Sequence, residues 1–218
     1  MRRRGAATVF GCASVLLSYP DEHYTRDLTA VRDALGGIPA GPVRSQLHAA
    51  AEWLAGMPPM ESAATYVDTF DLRRGVCLHL TYYRHGDTRE RGMALTALVD
   101  AFRAAGFGIV PGELPDYLPA MLELAAAHPA GATVLAEHRM ALAALHAALV
   151  KADSRYAGVL DAVRGALPGP TRKDRDALRR YRAEGPPSEK VGLEPFAPPE
   201  AIAHGVTSQG VTMGATRR

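Results

Sequence analysis

Apolar residues recur along most of this chain at helical spacing, and almost nowhere do they alternate with polar ones as a half-buried strand requires. Val9, Ala13, Leu16 and Leu17 mark a first helix over about 6–18, which breaks at Pro20. A second helix is expected to start near Asp21, whose acid suits a helix N-terminus, and to end near Gly36 and Gly37. A third covers about 42–55, and residues 57–59 separate it from one or two helices over 60–83. After Gly86, Asp87 and Glu90 have capping-box spacing, and Leu95, Leu98, Val99 and Phe102 form one apolar face that ends at Gly106. Residues 107–115 read as a Gly/Pro loop, with Asp116 as the cap of a helix running to about His128. One long helix over about 130–151 and another over 155–167 complete the pattern.

These segments predict an all-α, single-domain bundle of about seven to nine helices over residues 5–168. A tail follows at 169–218, charged at first and then rich in Pro and Gly. Its charged part, 172–182, has the makings of a short helix, whereas 185–218 holds too few large apolar residues to offset ordering entropy and reads as disordered.

Charge adds one point. The whole chain carries a formal +2, but residues 168–218 hold nine Lys/Arg against six Asp/Glu, so the body is slightly acidic and suits a basic ligand. Cys12 and Cys77 are far apart and form no Cys-x-x-Cys pair, which fits a reducing cytoplasm. Arg2, Arg3 and Arg4 ahead of an apolar run have the outline of a secretory signal. Gly11 and Ser14 interrupt that run and no small-x-small cleavage site follows, so a first core helix is expected. No stretch of about eighteen apolar residues suggests membrane insertion.

Catalytic signatures are missing. There is no His-Glu-x-x-His, phosphate loop or Gly-x-Ser-x-Gly elbow, and Cys77, His79 and His85 have no convincing fourth partner for a zinc site. The expectation is a protein that is not an enzyme and holds no cofactor.

The densest stretch is 66–119. YVDTFDLRRGVCLHLTYYRHGDTRERGMAL crowds aromatics, acids and arginines together, and ELPDYLP follows one helix later. Tyr66, Phe70, Tyr82, Tyr83, Leu114 and Tyr117 offer apolar surface. Asp68, Asp71, Asp87, Glu113 and Asp116 offer acids, while Arg89 and Arg91 offer partners that fix the loop. Each acid serves equally well as a cap or surface charge, and Asp87 and Asp116 read as caps first. Exposed ion pairs here would contribute only about 0–1 kcal/mol each.

YVDTFDL, LHLTYYRHGDTRERGMAL and ELPDYLP, together with ASVLLSYPDE at 13–22, resemble the respiratory nitrate reductase assembly chaperones, also called the nitrate reductase delta subunit, within the wider family of molybdoenzyme maturation chaperones. The resemblance covers about 9–165. It implies an all-helical fold and binding of the N-terminal peptide of the nitrate reductase catalytic (alpha) subunit. It further implies holding that subunit open for molybdenum cofactor insertion, as a monomer or homodimer. The wider family often has Asp-His where this chain has Asp116 and Tyr117, so a titrating role at that position is in doubt here. The runner-up reading is a small helical nucleic-acid-binding protein using 172–182, although Asp174 and Asp176 interrupt the basic run.

Overall fold

Proline and glycine set many of the helix ends. A computed structural model of the chain describes residues 3–73 and 75–187. Eleven helices occupy them: α1 (Arg3–Leu17), α2 (Tyr24–Leu35), α3 (Pro42–Ala55), α4 (Pro59–Phe70), α5 (Tyr82–His85), α6 (Arg89–Ala104), α7 (Leu118–Ala127), α8 (Pro129–Glu137), α9 (Arg139–Lys151), α10 (Ala157–Ala166) and α11 (Arg172–Glu184). Pro42, Pro59 and Pro129 open α3, α4 and α8, where a missing N–H costs nothing and a fixed φ helps. Gly106 follows α6 at φ 84°, the left-handed conformation that favours glycine.

The all-α class holds, and the helices outnumber the seven to nine expected. The single helix expected over 130–151 is two, because His138 leaves helical geometry at φ −98°, ψ 17° and its Nδ1 lies 2.9 Å from the Val134 carbonyl. Helix also fails across the described residues 71–73 and 75–81, between α4 and the single turn of α5. The second helix starts at Tyr24 instead of Asp21, since the Asp21 carboxylate accepts the His23 N–H (2.8 Å) and closes a turn ahead of it.

α1 is central. Val9, Phe10, Cys12, Ala13, Leu16 and Leu17 are all buried, and the helix packs on α7, α10, α2 and α3. Such wide burial fits its sequence, which is apolar around most of its circumference. α7 buries Leu118, Met121, Leu122, Leu124 and Ala125 between α1 and α8. The α7–α8 approach depends on Gly131, where a Cβ would lie 2.4 Å from the Ala125 nitrogen. α10 lies on α3, α1 and α9, and α11 lies on α9.

The described residues belong to one unit, Met1–Ser188; the other, Glu189–Arg218, lies outside them, as does the expected disorder from Ser188 onward. Among the described residues no helix is long and apolar enough to cross a membrane.

Candidate functional site

The non-helical stretch 71–81 is held by a backbone pairing that joins it to the start of α7. Leu80 N–H donates to the Asp116 carbonyl (3.0 Å) and Leu118 N–H to the Leu78 carbonyl (2.8 Å), an antiparallel bridge centred on His79 and Tyr117. Leu78, Leu80 and Leu118 are buried beneath it. The Asp116 side chain seals the join from inside. It is fully buried and accepts from the Thr81 N–H (3.3 Å), the Thr81 hydroxyl and His79 Nδ1 (3.0 Å), with Arg91 at 3.5 Å. An ionised carboxylate only accepts, so Nδ1 is the protonated nitrogen of His79. Burial by itself would raise the Asp116 carboxyl. The hydrogen bonds from His79 and Thr81 and the charges of His79 and Arg91 outweigh burial and hold it below the ordinary carboxylate range. Arg91 also donates to Thr81 Oγ1 (3.2 Å) and pairs with Asp87 (3.4 Å).

Two capping expectations are therefore corrected. The N-cap of α6 is Thr88, whose hydroxyl donates to the His85 carbonyl, and Asp87 pairs with Arg91 instead. The N-cap of α7 is Tyr117, and Asp116 turns inward because Thr81, His79 and Arg91 offer it more partners than a helix end does.

On the outer side of this join lies an aromatic and acidic surface. The Tyr66 and Tyr117 hydroxyls are 2.9 Å apart, Tyr19 stacks edge-on against Tyr66 at 5.4 Å, and His79 lies 5.7 Å from the Tyr117 ring. Tyr19 is 51% exposed and Tyr117 is half-buried. Burial raises the Tyr117 hydroxyl and the hydrogen bond with Tyr66 opposes this, while the charges of Glu113, Asp71 and Glu123 add to the rise. Burial and Glu123 also raise Glu113, with His79 opposing them. Glu113 in turn borders a groove of about 510 Å³ between the end of α6 and the loop 107–115, lined by Val99, Phe102, Phe107, Ile109 and Val110 together with Arg103. Phe107 and Val110 are exposed along it, and Leu114 is exposed nearby in the sequence.

Of the residues singled out in the sequence, Tyr66 and Tyr117 are joined through their hydroxyls, the charges of Asp71 and Glu113 reach Tyr117, and Leu114 is exposed on the loop ahead of it. Phe70 is buried against Tyr156 (4.8 Å), an inner member of an aromatic row that continues to Trp53. Tyr83 is buried too, and its hydroxyl is bound to both the N–H and the carbonyl of Cys77 (3.0 Å each). Those two rings stand inside the body, since their own helices turn them toward the core. Tyr82 lies next to Tyr83, away from the groove (6.2 Å). Asp68 and Arg89 are exposed on α4 and at the start of α6. Sequence reasoning missed Tyr19, His79, Thr81 and Glu123 as members of this region. Tyr19 had a signal, because it lies in the SYPDE segment that carried the resemblance; Glu123 had none beyond its charge in an apolar helix.

The basic segment 172–182 forms most of α11, and its Ala177, Leu178 and Tyr181 pack on the core. Arg172 and Arg179 pair with Asp176. Nothing in this arrangement supports the nucleic-acid alternative. Among the described residues no group of three or more His, Cys, Asp or Glu side chains is placed to hold a metal.

Residues 39–162 match the family model described as nitrate reductase delta subunit. The chain is 36% identical over 160 residues to the probable nitrate reductase molybdenum cofactor assembly chaperone NarJ of Bacillus subtilis, a match covering 72% of this chain and 87% of that one. It is 33% identical over 153 residues to NarJ of Escherichia coli K12 (68% and 64%). It is also 40% identical over 157 residues to the nitrate reductase-like protein NarX of Mycobacterium tuberculosis, spanning 71% of this chain but only 24% of that relative. With a family model across more than half its length and a chaperone matched over most of its own, the chain belongs to the nitrate reductase delta subunit family.

Proposed function

We propose that this protein is a system-specific assembly chaperone for a respiratory nitrate reductase, acting in the cytoplasm and not itself an enzyme. It binds the N-terminal segment of the apo catalytic subunit and keeps that subunit open while molybdenum cofactor, the partner's cargo, is inserted. The observation that carries this reading is the groove between the end of α6 and the loop 107–115, where apolar side chains lie beside the Glu113 carboxylate, together with Asp71 and Glu123 near enough to Tyr117 to raise its hydroxyl. An amphipathic helix bearing Arg or Lys beside an apolar stripe needs that combination, since the groove takes the stripe and the carboxylates take the cations. Membership of a family whose named members are assembly chaperones supports it. Asp116 is a framework residue in this scheme, and the rim acids are the ones that meet the peptide.

Isothermal titration with a synthetic peptide of the catalytic subunit's N-terminus tests the proposal. Asp71→Asn with Glu113→Gln is expected to weaken binding about fivefold, roughly 1 kcal/mol. Val110→Asp in the groove should weaken it further, and all variants should melt like the parent. Unchanged affinity in both variants would remove the groove and rim from the proposal.

A further inference from the structure

α11 is docked on the body without burying a single residue. Only Ala177, Leu178 and Tyr181 reach the core, Tyr181 lying 5.5 Å from the Tyr83 ring. The fit is loose, since grooves of about 260, 370 and 520 Å³ remain along the helix. Its start is firm: the Thr171 hydroxyl accepts from Asp174 N–H (3.2 Å), while Asp174 accepts from Thr171 N–H (2.8 Å). Helicity is thus set locally, and attachment to the body is weak.

Apart from the pair of Arg139 with Asp174 (3.9 Å), charge does not hold the helix down. The body's walls along these grooves carry Arg73, Arg84, Arg139, Lys151 and Arg164, and no acid lines them except on α11 itself. α11 brings six Lys/Arg against three Asp/Glu to that face. Like charges therefore oppose each other over an apolar floor of Tyr83, Met140, Ala144 and Ala148. Asp174 is the exception that shows the sign of the field. Burial would raise its carboxyl, yet the Thr171 hydrogen bonds and the Arg139 and Arg84 charges hold it below the ordinary range.

We infer that the α9 face under α11 is a second docking surface, built for an acidic amphipathic helix, and that α11 is a basic strap covering it in cis. The partner helix carries a small-Leu-x-x-aromatic stripe like that of α11, with carboxylates where α11 has arginines. This inference does not depend on the groove beside Glu113.

The probe is a labelled peptide of residues 171–184 carrying R175E, R179E, R180E and R182E, compared with the unaltered sequence. Lifting α11 in the full chain with L178E and Y181S is expected to tighten binding of the acidic probe at least about tenfold. Added salt weakens that complex, and Met140→Glu abolishes it. In the unaltered chain, hydrogen exchange should show α11 amides exchanging faster than those of α9, and faster still when the acidic probe is added. Equal affinity for the two peptides overturns the charge assignment. Protection of α11 equal to that of α9 and indifferent to the probe overturns the strap. Dimerisation of the lifted variant with no gain in probe binding assigns the face to a second copy and overturns the proposed partner.

Discussion

Removing the Asp116 carboxylate tests the account of the join most directly. In Asp116→Ala the buried Thr81 N–H loses its acceptor, and the Thr81 hydroxyl loses one partner. Arg91 keeps Asp87 within 3.4 Å, and His79, whose side chain is 34% exposed, can turn to water, so their losses are partial. An orphaned buried donor costs about 1–3 kcal/mol and charge-assisted bonds contribute about 1.5–3 kcal/mol, which together give a loss of about 3–5 kcal/mol. With a urea slope of about 2 kcal/mol per M, the midpoint should fall by about 2 M in equilibrium unfolding followed by circular dichroism. The pH dependence carries a definite sign. Asp116 is depressed below 3.8 in the folded protein, so its contribution is complete above that value and is lost as pH falls through the lower folded value. The Asp116 part of the gap between parent and variant should thus close only as the pH falls below the ordinary carboxylate range. A loss below about 1 kcal/mol at neutral pH, or a gap that persists undiminished well below the ordinary carboxylate range, would refute the reasoning.

Gly131→Ala puts a methyl group 2.4 Å from the backbone of α7 and should cost about 2–3 kcal/mol, seen as a fall of about 4–12 °C in Tm. Tyr117→Phe breaks the 2.9 Å bond to Tyr66 and should cost about 1 kcal/mol in urea unfolding while leaving the helix content unchanged. Burial pushes the Cys12 thiol up to about 11 and also raises Cys77, so a thiol reagent near pH 8 should label both slowly in the native protein, half-buried Cys77 first. Rapid native labelling of Cys12 would contradict the central place of α1.

Much of the fold was legible because local chemistry decides it. Residues 42–55 were read to the residue, since Pro42 and Gly56 bracket an apolar stripe that nothing distant contests. His138 was not legible, because the stripe from Leu135 to Leu149 keeps helical spacing straight across the break. The site was legible in composition but not in orientation. Density of rings and acids marked 66–119, yet whether a ring points in or out depends on which helix packs behind it. Phe70 meets Tyr156, eighty-six positions away, and no local rule announces that. Asp116 is the clearest case. Its neighbours in sequence make it a plausible cap, and its role came from Thr81, thirty-five residues earlier.

The pairing of Leu78–Leu80 with Asp116–Leu118 also closes a ring in the chain. Everything from Thr81 to Pro115 leaves and returns through that neck, and α6, its largest part, buries only Leu98 and Phe102, the latter against Ala120 and Leu124 of α7. α5 is anchored in the core by Tyr83, so the part of this ring that can open most readily is α6, while α1, α3, α7 and α10 stay assembled. Native-state hydrogen exchange is therefore expected to show the amides of α6 opening at a lower free energy than those of α1, α3, α7 and α10.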